Sequence, residues 1–374
     1  MIKSVIAGML ASTVLCSASA EEVRIGFVNG LTGPIAETAQ DLVKVTRAYI
    51  DMINSQGGVN GNKLVLVAKD DGYVPAKTAP LIEEIVQKDK VVAIVNSAGT
   101  APTLSVIQSG VLSKHHLPLV GVFTGAEALR GPGSAEVFHT RPTYQQEIRK
   151  ISNMASTLGL QRVAVLYQDD AFGQGILQSI DASEKEFKLK VISKVAYKAG
   201  AKDFAPEAKL IEAAKPQAIF LMGVPDSAYR FMKAYSAPVG AAQIYALSFV
   251  TPKMLASAAG EEKIRGIGIT QVVPNPNSAT TVLVKDFQSL VNNAFGKNVS
   301  PSSVTLEGYL NIRLLVEAIR MAGPHPTSEK VLQSLASMQD YRVGGFPIDF
   351  GKGNRSGSSF LDIAVVGRNA RLQY

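Results

Sequence analysis

The stretch "VVAIVNSAGTAPTLSVI", residues 91–107, decides how the rest of the chain is read. An apolar run stops in Asn96, Ser97, Gly99, Thr100 and Thr103, and apolar periodicity then resumes. That order suits a short buried strand, a turn of small polar residues and a helix start. Such a unit gathers hydroxyls and backbone N–H groups at a strand end. Three chemistries use a turn of this kind: a serine nucleophile at Ser97, a phosphate loop, or a clamp for another small ligand.

The same alternation runs outward in both directions. Before it come strand-like "VRIGFVNG" (23–30), helical "IAETAQDLVKVTRAYIDMINSQGG" (35–58), strand-like "KLVLVAKDD" (63–71) and helical "KTAPLIEEIVQKD" (77–89). After it come helical "TLSVIQSGVLSKH" (103–115) and strand-like "LPLVGVF" (117–123). The pattern restarts past "RPTYQQE" (141–147), with strands expected at 162–170, 189–197, 218–224 and 243–249. Strand–helix alternation of this sort implies right-handed crossovers and parallel sheets covered by helices on both faces. The chain therefore reads as α/β, with two similarly organised halves. A strand at 266–274, helices near 282–295, 307–323 and 328–338, and hairpin-like pieces at the end form a shared C-terminal part.

Length and composition agree with two cores: 374 residues, of which 46% are hydrophobic and 18% charged. The first twenty residues read as a secretory signal peptide, with Lys3, an apolar run of about a dozen residues and a small-x-small site ending at Ala20. Cys16 is the only cysteine and lies in that leader, so a mature chain starting near Glu21 has no disulfide, thiol nucleophile or zinc–thiolate site. The net charge of +7, or +6 without Lys3, is scattered. It makes no stripe with interleaved aromatics, which argues against a nucleic-acid partner.

Several reactive chemistries lack their residues. No P-loop pattern and no G-x-S-x-G elbow occurs, so Ser97 has no nucleophile context. Only four histidines exist, His115, His116, His139 and His325, and the first two end an expected helix. No H-E-x-x-H and no Asp-x-Asp-x-Asp loop is present, so no metal and no cofactor is expected. Asp70-Asp71 and Asp169-Asp170 end strands, where carboxylates cap turns and helices. The turn at 96–103 remains, facing a helix N-terminus that favours a carboxylate or other small anion.

At this point the residues carry a likeness. "GLTGPIAETAQDLVKVTRAYIDMINSQGGVNGNKLVLVAKDDGYVPAKT" (30–78), "SAGTAPT", "FTGAEALRGP" (123–132), "RPTYQQE", "YQDDAFGQG" (167–175) and "AGAKDF" (199–204) occur in order. Together they resemble the type I periplasmic solute-binding proteins of the leucine/isoleucine/valine-binding group. The resemblance implies two Rossmann-like lobes joined by three crossing hinge strands, with a ligand cleft between them. Lobe 1 is expected to hold 21–142 plus about 273–330, and lobe 2 to hold 143–272 plus about 331–374. It implies a periplasmic, non-enzymatic, monomeric binding component of an ABC importer, partnered by a small-molecule ligand and by permease subunits. A sensory binding protein for a chemoreceptor or sensor kinase is the alternative.

The resemblance also places candidate ligand contacts. Thr100, Ala101 and Thr103 follow the third strand, and Phe123, Thr124 and Gly125 follow the fourth. Phe172 closes over the ligand from the second lobe. Leu31–Pro34 are expected at the cleft mouth, and Gln271 and Tyr309 near the hinge or cleft. Where amino-acid-binding relatives carry an acid, this chain reads Leu247-Ser248-Phe249-Val250. Asp226, or Asp169 or Asp170, could substitute for it. Otherwise the ligand lacks an ammonium group, and Phe123, Phe172 and Phe249 favour an apolar or aromatic acid or amide.

Overall fold

The computed structural model describes residues 21–296 and 301–374. The expected signal peptide and its cleavage site lie outside the described residues. The first half runs β1 (Glu22–Asn29), α1 (Ala36–Ser55), β2 (Lys63–Asp70), α2 (Pro75–Asp89), β3 (Ala93–Val95), α3 (Thr100–Ser109), α4 (Val111–Lys114), β4 (Leu119–Val120) and β5 (Val137–Phe138). The second half runs α5 (Tyr144–Thr157), β6 (Arg162–Gln168), α6 (Ala171–Phe187), β7 (Lys190–Tyr197), α7 (Ala205–Ala214), β8 (Ala218–Met222), α8 (Pro225–Ala234), β9 (Gln243–Ala246), α9 (Pro252–Ala259), α10 (Glu261–Ile264) and β10 (Gly268–Gln271). The last part holds α11 (Val282–Phe295), α12 (Ser303–Met321), α13 (Ser328–Ala336), β11 (Tyr341–Val343), β12 (Phe346–Ile348), β13 (Asp362–Val366) and β14 (Leu372–Gln373).

The halves repeat one topology. The first sheet is ordered β2-β1-β3-β4-β5, and β7-β6-β8-β9-β10 reproduces that order in the second, where β13 and β14 add an antiparallel edge. All other pairs in the two sheets are parallel. Central strands read as unbroken apolar runs because helices cover both faces; all five residues of β8, "AIFLM", are buried. The expected strand 117–123 contributes only β4 to the ladder, since Gly121 takes a φ of 67° and turns the chain. The expected helix 103–115 begins earlier, at Thr100, and breaks at Gly110. The pair β5 has too few residues for a periodic signal.

Three connections cross between the sheets: 139–143, 272–281 and 349–361. They lie outside the assigned strands, the third includes a 3-10 turn at Gly351–Gly353, and the first and third touch through the bridge His139–Ser356. The C-terminal division differs from the one expected. Val331, Leu335, Met338, Val343, Phe346, Ile348 and Phe350 join Tyr49, Phe287 and Leu315 in the core of the first lobe. Thus α13 and the β11–β12 hairpin complete that lobe, and only the chain from β13 onward joins the second sheet. Periodicity shows that a helix has an apolar face, but not which lobe that face meets.

Candidate functional site

In each lobe the strand order reverses between the first strand and its neighbour, and an open α/β sheet binds ligands at that switch point. The two switch points face one another across a cavity of about 30 Å³. From the first lobe it is lined by Ile35 and Thr38 after β1, Tyr73 after β2, Ala98, Gly99 and Thr100 after β3, and Phe123 after β4. From the other side come Tyr144 at the start of α5, Phe172 after β6, Val224 and Pro225 after β8, and Phe249 after β9. Among the described residues no charged side chain lines it. A larger groove of about 840 Å³ lies elsewhere, lined only by α1, α11 and α12, and no strand end opens into it.

The polar end of the cavity is built by two turns of the first lobe. Thr100 Oγ1 lies 2.8 Å from Thr124 Oγ1, and the Ala126 N–H donates to Thr124 Oγ1 at 3.2 Å. Burial pushes the pKa of the Tyr144 hydroxyl up to about 12. The first turn of α3 has no side-chain cap, because its N-cap is Gly99. The N–H groups of Thr100 and Ala101 are therefore left for an outside acceptor, with the positive end of the helix behind them. Glycine is required at 99 on two counts. Its φ is 98°, and a Cβ would stand 2.6 Å from Tyr73 Cε2.

The apolar end is an aromatic cluster. Tyr144, Phe172 and Phe249 pack edge to face, with centroids 5.3, 6.1 and 6.4 Å apart. Phe172 is set by Asp170, whose Oδ1 accepts from the N–H groups of Phe172 and Gly173 and so caps α6. Burial raises the Tyr73 phenol well above its usual range, so it stays protonated beside Gln168 and Asp170 of the second lobe.

The expected residues fall into groups. Thr100, Phe123, Phe172 and Phe249 line the cavity, and Thr124 supports it from behind Thr100. Gly125 does not line it; its carbonyl accepts from Tyr144 N at 2.8 Å and so holds that ring in place. Ala101 offers its backbone rather than its side chain. Thr103 is buried, but its hydroxyl donates to Gly99 O at 2.7 Å and is spent inside the helix. Asp226 is displaced from the site. Its carboxylate accepts from Arg230 Nε at 2.8 Å and lies 3.7 Å from Lys202 Nζ, because the first turn of α8 points it outward past Pro225. Asp70, Asp71 and Asp170 serve as turn and helix caps. Gln271 ends β10 where the second crossing begins. Tyr309 sits in the first-lobe core against Tyr49, away from the cleft.

None of the four histidines lines the cavity. His115 pairs with Glu83, His139 with the Leu129 carbonyl and His325 with Glu21, while His116 follows His115, the C-cap of α4. Among the described residues no group of His, Cys, Asp or Glu could hold a metal ion, and no helix is long and apolar enough to cross a membrane.

Sequence reasoning missed Ile35, Thr38, Tyr73, Tyr144, Val224 and Pro225. All but Tyr144 follow a strand, so the strand-end rule applied to β1, β2 and β8 as well as β3 would have found them. It also missed Arg141, Glu147 and Glu307, charged residues buried beside the cleft.

With this geometry in hand, the comparisons with known proteins are specific. Residues 22–370 match the family model described as periplasmic binding protein. A solved substrate-binding periplasmic protein from Ralstonia solanacearum is 34% identical, with a TM-score of 0.88 over 94% of this chain and 99% of that one. An amino acid binding protein of Pseudomonas aeruginosa is 23% identical over 81% of this chain and 79% of its own. The Leu/Ile/Val-binding protein BraC3 of Rhizobium johnstonii is 22% identical over 96% of both.

Proposed function

The chain belongs to the periplasmic binding protein family, a family of non-enzymatic solute-binding proteins, and from that premise we propose that it captures a small carboxylate-bearing solute for an ABC importer. The solute is amino acid-like, or an apolar or aromatic acid or amide. The observation that carries this reading is the division of the cavity. Unpaired N–H groups and the Thr100 hydroxyl stand at one end, three edge-to-face rings at the other, and no charge lines it. A carboxylate suits the first end and an apolar body the second.

The charge-free lining favours ligands without an ammonium group. A desolvated, unpaired ammonium costs several kcal/mol. The first lobe supplies the docking surface, and closure of the second adds Phe172, Val224, Pro225 and Phe249. Contacts made only on closure shift the open–closed population toward closed. The closed form then offers surfaces of both lobes to a membrane permease. The relatives named as amino acid and Leu/Ile/Val-binding proteins support the ligand size, and the family supports residence in the periplasm.

A thermal-shift screen tests the reading. L-leucine and L-phenylalanine are set against 4-methylvalerate, phenylacetate and phenylacetamide. The acids and the amide are expected to raise the unfolding temperature more than the amino acids. Stabilisation by leucine alone would sink the preference for a ligand without ammonium.

A further inference from the structure

Arg141 lies on the first crossing, 139–143, and is fully buried at the junction of the lobes. Its Nε and Nη2 donate to Glu307 Oε1 and Oε2 of α12 at 2.8 and 2.7 Å, with side chains 0% and 2% exposed. Burial works to discharge Arg141, but Glu307 outweighs it and keeps the guanidinium charged. That fixed cation stands 5.4 Å from the ring centroid of Phe123 and 4.8 Å from that of Phe249. Phe123 belongs to the first lobe and Phe249 to the second, and both line the cavity. One hinge residue thus touches a ligand-facing wall of each lobe.

We propose that Arg141 is a positioning residue for ligand capture: a hinge-borne cation, clamped by Glu307, that holds the Phe123 and Phe249 rings at the separation of the closed cleft. Arginine suits this role because its planar guanidinium makes a forked bond to a carboxylate and still stacks on aromatic rings, which lysine cannot do together. The fork fixes the guanidinium on the first lobe. Attraction to Phe249 is then gained only when the second lobe swings in. Glu147, on α5, adds to the same bias. Its Oε2 is held within the second lobe by Thr270 Oγ1 at 2.5 Å and Ser248 N at 3.3 Å, and its charge attracts Arg141. The relevance to binding rests on the reading that this cavity holds the ligand, but the geometry of closure can be measured without one.

The test uses the mature chain from Glu21, which has no native cysteine. Exposed Ser109 and Lys209, one in each lobe, are changed to Cys and spin-labelled, and the label separation is measured by pulsed electron resonance. Arg141→Met with Glu307→Leu replaces the buried pair by apolar groups, an exchange that is often neutral or stabilising. This double variant is expected to fold and to show a second population at longer separation. Should it fail to fold, Phe249→Leu, which leaves the ion pair whole, is expected to show the same longer population. A folded variant of either kind with the parental distance distribution overturns the proposal, since a merely structural residue would alter stability without moving the lobes. Failure of the carboxylate screen leaves this measurement unaffected.

Discussion

Thr100 Oγ1 and Thr124 Oγ1 stand 2.8 Å apart on the turns that follow neighbouring strands β3 and β4. With Thr124 as the donor of this bond, the Thr100 hydroxyl hydrogen is left for an outside acceptor, beside the free N–H groups of α3. Thr100→Val keeps the shape and removes the donor. A hydrogen bond to a charged group contributes about 1.5–3 kcal/mol. The variant is therefore expected to bind the preferred carboxylate roughly ten- to a hundredfold more weakly by calorimetric titration. Affinity within about twofold of the parent would show that Thr100 does not meet the ligand.

Gly99 supplies a prediction about backbone. Alanine at 99 must keep a φ of 98° and place its Cβ 2.6 Å from the Tyr73 ring and 3.0 Å from Pro102 Cδ. The left-handed strain and the overpacking each cost about 1–3 kcal/mol. Gly99→Ala is expected to lower the unfolding temperature by several degrees and to weaken ligand binding, because Tyr73 must leave its place in the wall. A variant with parental stability and affinity would mean that the turn relaxes freely.

Much of this design was legible because periodicity reports burial directly. The runs at 23–30, 63–71 and 218–224 became β1, β2 and β8, and the turn at 96–103 proved to be a cavity wall. What stayed illegible depends on three dimensions. Nothing local tells whether Val331 and Leu335 face the first or the second lobe. Asp226 is the exception, since an acid four residues before Arg230 on one helix is a local pairing that could have been read from the sequence. The pairing of Arg141 with Glu307 spans 166 positions, and each reads alone as an ordinary surface charge.

Asp226 gives a prediction of no effect. Its partners Arg230 and Lys202 are outside the cavity, and pairs exposed to solvent contribute little, about 0–1 kcal/mol. Asp226→Asn is expected to change ligand affinity by less than about twofold and stability only slightly. A large loss of affinity, read by the same titration, would restore Asp226 to the site.

Glu147 predicts a dependence on pH. Burial, the largest influence, raises its pKa above 4.5, and attraction to Arg141 together with bonds from Thr270 and Ser248 reverses this only in part. A carboxyl whose folded pKa is raised favours the folded state in its neutral form. That contribution is fully present below 4.5 and is lost as pH rises through the folded value. Above the folded value the native protein carries a buried carboxylate whose Oε1 has no partner. Glu147→Gln keeps an acceptor for Thr270 and Ser248 and removes the charge. The variant is expected to unfold at a higher temperature than the parent at pH 7.5, with the gap closing as pH falls toward 4.5. A gap of the opposite sign, or one that widens on acidification, would mean that attraction to Arg141 outweighs the cost of burying the charge.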